Sequence, residues 1–317
     1  MEDLSIGVDI GGTKILAGVV DTAGNILATH REDTPKSGGS DLTGAIIGVI
    51  QELLFQFPAG TVGLSAAGFV SADRATMLAT PNIADWNHIN LRSVLMDVIC
   101  LPVVVENDAN AAAWAEAKFG AGRYEKDVMM VTVGTGIGGG LVTAGKLFRG
   151  SSGVAAEFGH MRVMPDGILC GCGARGCFER YASGTALVDY VKSEIQSVPG
   201  VGKSILSVGA GHVERIKGND ITIAAHAGDP LAISAFAHIS DWLGAGLSSL
   251  CVVLDPSCVV IGGGVVDAGE LLMKPLKESF MKHMPFVNDH PVPRFYLAQL
   301  GNDAGLVGAA DLARMQD

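Results

Sequence analysis

Short apolar blocks separated by turn residues open the chain. Ser5 to Asp9 is an apolar run that predicts a strand, a glycine-rich turn follows, and Ile15 to Val20 predicts a second strand. Asp21 to Asn25 holds turn-forming residues and Ile26 to His30 predicts a third strand, so the chain begins as an antiparallel meander. The pattern then changes period. Ile46, Ile47, Ile50, Leu53 and Leu54 fall on one face of a helix over Leu42 to Leu54. Thr61 to Ala66 and Val103 to Val105 predict buried strands, and the alanine-rich stretch Ala109 to Lys118 predicts a helix.

The opening arrangement recurs. Val128 to Val133 predicts a strand, Gly134 to Gly140 a glycine turn and Leu141 to Thr143 another strand, which suggests an internal duplication. Helices are expected over Thr222 to Ala227 and Leu231 to Leu250, and Val259 to Ile261 predicts a strand feeding Gly262-Gly263-Gly264. The uncharged stretch Val128 to Gly145 is long enough for a short membrane span, but its six glycines favour strand, turn, strand.

Composition narrows the function. The chain has 317 residues, 48% hydrophobic and 17% charged, which suits a globular protein with a large core. Mean hydropathy is +0.36, a value that permits subunit association. Net charge is -11, and an acidic surface disfavours a nucleic-acid partner. The N-terminus lacks the charged-then-apolar pattern of a signal peptide. The six cysteines fit a reducing cytoplasm, with the scattered Cys100, Cys251 and Cys258 expected as small buried hydrophobes.

The densest chemistry lies in HMRVMPDGILCGCGARGC. Its His160, Cys170, Cys172 and Cys177 suit a closed Cys3His zinc site, and Gly167, Gly171, Gly173 and Gly176 supply turns for a metal knuckle. Three buried thiols beside a core histidine are the plainer alternative, and a disulfide leaves one cysteine over. Two carboxylates flank the set. Glu157 lies three residues before the histidine and Glu179 two residues after the last cysteine, so a metal here would point acidic groups at a ligand. One ring nitrogen of His160 could bind zinc while the other donates to an oxygen.

Two glycine turns could cradle phosphate. Asp9-Ile10-Gly11-Gly12-Thr13-Lys14 is not a Walker loop, because a β-branched strand follows it, and alone it reads as an ordinary hairpin. Gly134 to Gly140 contains a formal G-x-G-x-x-G, as does Gly171 to Gly176, but a dinucleotide fingerprint must open a helix and here Leu141-Val142-Thr143 continues as strand. At Val104-Val105-Glu106-Asn107-Asp108 a buried strand turns into a helix, where open α/β sheets bind ligands. Asp108 could simply cap that helix, and as a cap it would have its pKa drawn down by the helix dipole. An ionised aspartate still suits phosphoryl transfer, in which the carboxylate mainly orients the hydroxyl and takes its proton late.

Together these residues resemble the sugar kinases of the ROK family (repressors, open reading frames, kinases), most of all its actinobacterial-type glucokinases. DIGGTK at 9–14 and GTGIGGG at 134–140 resemble its phosphate motifs, ENDANAAAWAE at 106–116 its sugar and base segment, EFGH at 157–160 with CGCGARGCFE at 170–179 its sugar and zinc signature, and IGGGV at 261–265 its adenosine motif. The resemblance implies an actin-like, ribonuclease H-like α/β fold with two domains, residues 1–111 plus 304–317 and residues 112–303, that close on a sugar cleft. It implies ATP-dependent phosphorylation of glucose at the 6-hydroxyl, with another hexose (mannose, fructose, N-acetylmannosamine) or polyphosphate as the alternatives. Asp108 would be the base. Gly68, Asn82, Asn107, Glu157, His160 and Glu179 would hold the sugar. Asp9, Gly11, Gly12, Thr13, Lys14, Gly134, Thr135 and Gly136 would handle phosphate and Mg2+, and Gly263 and Gly264 the nucleotide. Zinc would be structural. A cytoplasmic homodimer or homotetramer without a membrane partner is implied. The family's repressors carry an N-terminal helix-turn-helix, for which the first strand at Ser5 leaves no room. Ala67-Gly68-Phe69-Val70 lacks the proline that many members have in this turn.

Overall fold

The computed structural model describes residues 3–36, 39–80, 83–209 and 211–315. In chain order the strands are β1 (Ser5–Ile10), β2 (Lys14–Val20), β3 (Ile26–Asp33), β4 (Thr61–Ala66), β5 (Phe69–Val70), β6 (Thr76–Ala79), β7 (Ile89–Asn90), β8 (Val103–Asn107), β9 (Val128–Val133), β10 (Ile137–Thr143), β11 (Lys146–Phe148), β12 (Cys258–Gly262) and β13 (Arg294–Leu297). The helices are α1 (Gly39–Gln56), α2 (Leu91–Ile99), α3 (Asp108–Lys118), α4 (Glu179–Ala182), α5 (Gly184–Ser197), α6 (Lys203–Val208), α7 (Gly218–His226), α8 (Pro230–Leu254), α9 (Glu270–His283) and α10 (Ala304–Arg314). The chain divides into two compact units. One comprises Met1–Met130, Gly139–Ala156 and Ala298–Asp317, the other Val131–Gly138 and Glu157–Leu297.

Two five-stranded sheets share one strand order, β3-β2-β1-β4-β8 and β11-β10-β9-β12-β13. The duplication expected from the repeated strand–glycine turn–strand opening therefore extends over all five positions. The second turn is shorter than its glycines suggest, because β10 already begins at Ile137 and only Gly134 to Gly136 remain outside the strands. Those later glycines lie in the ladder, where Gly140 leaves room for Ala113 and the Ala109 carbonyl of α3.

Strand alternation decides what the first sheet presents on each side. Ile6, Val8 and Ile10 join the core that contains Leu42, Ile46 and Ile50 of α1 and Leu91 and Leu95 of α2. The intervening positions face α10. Gly18, Gly7 and Gly63 sit side by side in the register of β2, β1 and β4. A Cβ on Gly7 or Gly63 would overlap the carbonyls of Leu306 or Ala309, so this glycine row lets α10 lie directly on the sheet. Gly308 allows an equally close approach of α10 to the Ala111 carbonyl of α3.

Buried charge locks these contacts. Asp311 of α10 accepts from Trp114 Nε1 at 2.8 Å and from Lys118 Nζ at 2.7 Å on α3. The fully buried Glu116 of α3 accepts through Oε1 from the backbone N–H groups of Gln299 and Leu300 at 2.8 and 2.7 Å, and through Oε2 from Ala121 at 2.8 Å. Each carboxylate is thus satisfied by the segment it positions. In the second unit α8 is long and apolar enough to cross a membrane, yet half of its apolar window is buried, and it packs against α4, α5, α7 and α9. Cys251 and Cys258 are buried as expected, whereas Cys100 is exposed: it ends α2 in the left-handed conformation at φ 57°.

Replacing Gly63 by alanine is expected to destabilise the protein by about 3 kcal/mol or more, since backbone must move. Gly44 lies in α1 with open space around its Cα, and Gly44→Ala is expected to stabilise by roughly 0.5–1 kcal/mol through helix propensity and chain entropy. Urea unfolding of the two variants checks both signs.

Candidate active site

The carboxyl ends of β1 and β8 bring Asp9 and Asp108 to one cavity of about 570 Å3 in the first unit. Gly11, Gly12, Ala66, Ala67, Thr34, Thr80, Asp85 and Trp86 complete much of its wall. The first glycine turn is a hairpin closed by Gly11 N–H on the Lys14 carbonyl at 2.9 Å, and Thr34 Oγ1 donates to the Gly11 carbonyl at 2.7 Å. Gly11 and Gly12 thus show backbone to the cavity, with Thr13 and Lys14 following at the mouth of the hairpin.

Asp9 is oriented by Ser65, whose hydroxyl donates to Oδ1 at 2.8 Å. A Cβ on Gly305, at the start of α10, would crowd the same oxygen at 2.6 Å. Burial raises the Asp9 pKa, the Ser65 hydrogen bond opposes that, and the neighbouring Asp108 raises it further.

Asp108 is the first residue of α3, and the cap is Asn107, whose Oδ1 accepts from Asn110 N–H at 3.0 Å. Asp108 Oδ1 accepts from the next residue, Ala109 N–H, at 2.9 Å. The expected cap moves by one residue, and the expected pKa direction reverses. Surrounding protein desolvates the carboxyl and raises its pKa, and the backbone bonds only partly offset this. The side chain nevertheless remains open to cavity water. A ligand that fills the cavity would remove that water and favour proton uptake further. Asn107 also donates through Nδ2 to the Gly68 carbonyl at 3.0 Å. Gly68 has φ 133°, and a Cβ there would overlap the Ala79 carbonyl, which is why glycine stands in this loop. Asn82 lies outside the described residues.

The second unit gathers the metal-type side chains. Ligand atoms of His160, Cys170, Cys172 and Cys177 all lie within 4.8 Å of one another. Cys172 and Cys177 sulfurs are 3.6 Å apart, and Cys170 Sγ is 3.8 Å from His160 Nδ1. A tetrahedron with zinc–sulfur bonds near 2.3 Å has edges of about 3.8 Å, so the donor set fits zinc, and the sulfurs are far beyond the roughly 2.05 Å of a disulfide. Burial pushes the Cys170 thiol up to about 12, with Glu179 adding to the rise, and burial also raises Cys177; backbone donation from Ala174 lowers Cys172. A dication would release these protons.

Glu179 borders this centre, and Glu157 is joined to it through the backbone, its carbonyl accepting from His160 N–H at 3.0 Å. Glu179 opens α4, and its Oε1 lies 2.9 Å from Cys170 Sγ and 3.8 Å from His160 Nδ1. A side chain on Gly136 would overlap the other Glu179 oxygen, so the knuckle and the second glycine turn meet at this carboxylate. Glu157 precedes the short turn Phe158–His160, and Gly159 lies so close to the Ile137 carbonyl that a Cβ would overlap it. Ala156, just before Glu157, is held at φ 68°, a conformation that disfavours alanine.

A second cavity of about 670 Å3 lies in the same unit, with Gly134, Thr135 and Gly264 in its wall. Gly263 has φ 87° and is packed on the backbone of Val133. Gly184 and Thr185 also line this cavity: Gly184 N–H donates to the Gly134 carbonyl at 2.8 Å, and Thr185 Oγ1 to the Thr135 carbonyl at 2.7 Å. Sequence reasoning missed these two, along with Asp189, Lys192 and Asn219. The small-residue string Ala182-Ser183-Gly184-Thr185 directly after the knuckle was the available signal, as was Gly301-Asn302-Asp303-Ala304-Gly305 for the α10 start beside Asp9.

The sequence profile of the ROK family matches residues 5–316. The chain is 48% identical to the glucokinase of Streptomyces coelicolor over 314 residues, 99% of this chain and 98% of that one. It is 31% identical to the N-acetylmannosamine kinase of Yersinia pestis over 309 residues, 98% of each chain. Among solved structures, a ROK family glucokinase from Streptomyces griseus in complex with glucose and AMPPNP matches with a TM-score of 0.88 and 49% identity, covering 99% of this chain and 100% of that one.

Two expectations follow from this geometry. A folded-state carboxyl pKa raised above its unfolded value favours folding only while protonated, and that stability is lost as pH rises from the unfolded value through the raised one. At neutral pH ionised Asp108 therefore opposes folding, and Asp108→Asn is expected to melt at a higher temperature than wild type at pH 7, with the difference shrinking towards pH 4. Elemental analysis should find bound zinc, which falls away on acidification as the thiols regain protons and is lost in Cys177→Ser.

Proposed function

The chain belongs to the ROK family and has the actin-like fold of its sugar kinases, and from that membership we propose that it transfers the terminal phosphoryl group of ATP to the 6-hydroxyl of glucose. The observation that carries the reading is Asp108: an aspartate at a strand-to-helix junction, open to a cavity, with its pKa raised by the protein around it. That is the property wanted in a group that must accept a proton from a hydroxyl. The full-length identity to glucokinases supports glucose as the acceptor.

In this reading Asp108 orients the sugar hydroxyl for in-line attack and takes its proton as the phosphorus–oxygen bond forms. Gly68, Asn82 and Asn107 contact the ring hydroxyls, and so do Glu157, His160 and Glu179. With Nδ1 of His160 turned to the thiolate cluster, Nε2 is the nitrogen left for the sugar. Gly11, Gly12, Thr13 and Lys14 offer backbone N–H, hydroxyl and ammonium donors to phosphate, as Gly134, Thr135 and Gly136 do from the second hairpin. Gly263 and Gly264 border the nucleotide. Asp9 is the carboxylate suited to Mg2+: it is oxygen-donating and half-buried, and Lys14 is the cation whose charge acts on it. Such a metal would supply charge neutralisation on the phosphates. Zinc in the Cys3His set would be structural, holding Glu179 and His160 in place.

The enzyme is proposed to be cytoplasmic and a homodimer or homotetramer. Exposed apolar side chains such as Val253 and Phe286, each 79% exposed, support association.

A coupled assay with Mg-ATP against glucose, mannose, fructose, N-acetylmannosamine and N-acetylglucosamine tests the reading. Glucose should dominate, and Asp108→Asn should lower kcat by about 10³-fold or more. Preference for another sugar or for polyphosphate as donor would move the specificity, and a fully active Asp108→Asn would remove the assigned base. Chelator-treated protein should bind glucose more weakly; unchanged affinity would refute the structural role given to zinc.

A further inference from the structure

A cavity of about 860 Å3 in the first unit is lined by Arg74, Arg92 and Arg149 among others, but their guanidinium groups are engaged by the protein itself. Arg92 Nε donates to the Val103 carbonyl at 3.1 Å, and its Nη2 to the carbonyls of Asp73 and Arg74. Arg149 donates through Nη1 to the Ala72 carbonyl at 2.7 Å and through Nη2 to the Ser71 carbonyl at 3.0 Å. Two of them, Arg74 and Arg149, also share one carboxylate. Glu106 has no exposed surface, and its Oε2 forms ion pairs with Arg149 Nε at 2.8 Å and Arg74 Nε at 3.2 Å. Its other oxygen, Oε1, accepts from Asn107 N–H at 2.9 Å and from Asn110 Nδ2 at 3.2 Å.

We infer that Glu106 is a positioning residue for phosphoryl transfer, holding the Asn107–Asp108 junction from behind with one oxygen while Arg149 and Arg74 anchor the other. The inference rests on the reading given under Proposed function. Oε1 fixes the peptide between Glu106 and Asn107 and the side chain one helical turn on, so the orientation of Asp108 is clamped on both sides. Asn107 carries the effect to the loop at Gly68 through its Nδ2 bond. Arg149 extends it to the Ser71–Ala72 backbone, which follows β5. None of these bonds reaches the cavity of the second unit that contains Gly134 and Gly264. Loss of Glu106 should therefore appear in the step that needs Asp108 aimed, and not in nucleotide affinity. Displacement of a reacting group by about 1 Å can cost on the order of 10²-fold in rate.

Steady-state kinetics with glucose and ATP, together with melting temperatures, test this on the full chain. Wild-type turnover is measured first, since its absence would be a failure of the proposed reaction and not of this inference. With an active wild type, Glu106→Ala should lower kcat by roughly 10²-fold while KM for ATP stays within about twofold. Glu106→Gln, which keeps an acceptor for Asn107 and Asn110 but loses the ion pairs, should recover part of that loss. If Glu106→Ala does not fold, Arg149→Lys takes its place: it keeps the charge but cannot span both carbonyls and Glu106, and kcat should fall by about tenfold with the same unchanged KM for ATP. Variants that melt at lower temperature yet keep kcat within about threefold of wild type would overturn the inference, because a purely structural carboxylate moves stability alone.

Discussion

Helix α10 lying directly on the first sheet is the constraint from which the rest of that unit follows. It is possible because Gly18, Gly7 and Gly63 form a row with no side chains to hold the helix away. Once seated, α10 puts Gly305 against Asp9 and Gly308 against α3, and Asp311 takes hydrogen bonds from Trp114 and Lys118. Helix α3 is thereby fixed at its centre and its end. Its first residue is Asp108, so the packing of small residues far along the chain sets where the proposed base stands. A one-carbon change in the glycine row would propagate through helix positions, because close-packed interiors transmit displacement.

The chemistry depends on keeping carboxylates where water would not choose to leave them unpaired. Glu106 and Glu116 are fully buried; Glu116 accepts backbone hydrogen bonds from the segments it organises, and Glu106 accepts through Oε1 from Asn107 and Asn110 while Oε2 is ion-paired with Arg149 and Arg74. Asp9 and Asp108 are different. Burial raises the pKa of both, and neither is fully neutralised by its neighbours. Such groups oppose folding at neutral pH and are the ones that can bind a cation or accept a proton. The two buried glutamates are paired, whereas the two aspartates proposed for the chemistry are left partly unsatisfied.

Much of this was legible in the chain. Strand runs such as Ser5 to Asp9 and Thr61 to Ala66 follow directly from residue pattern and stand as strands, and the Cys3His spacing marks four side chains that the fold gathers within 4.8 Å of one another. What failed was whatever depended on long-range placement. Asp108 reads as a helix cap from its neighbours, but Asn107 takes that role, because its side chain also reaches Gly68, thirty-nine residues away in sequence. The pKa of Asp108 moves opposite to the sequence expectation because the helix dipole is local and visible in sequence, whereas desolvation comes from elements that fold around it. Cys100 looked like a core thiol but ends α2 at the surface. Glu106 is silent in the sequence because nothing in its position announces two arginines, one of them forty-three residues later.

The pH dependence of kcat/KM for glucose tests the central claim, that Asp108 is a proton acceptor whose pKa the fold has raised. The account predicts an acid limb governed by a single ionisation, lying above the ordinary aspartate value of about 3.9. Activity that persists unchanged down to pH 4, or an acid limb that Asp108→Asn leaves in place on its residual rate, would contradict it.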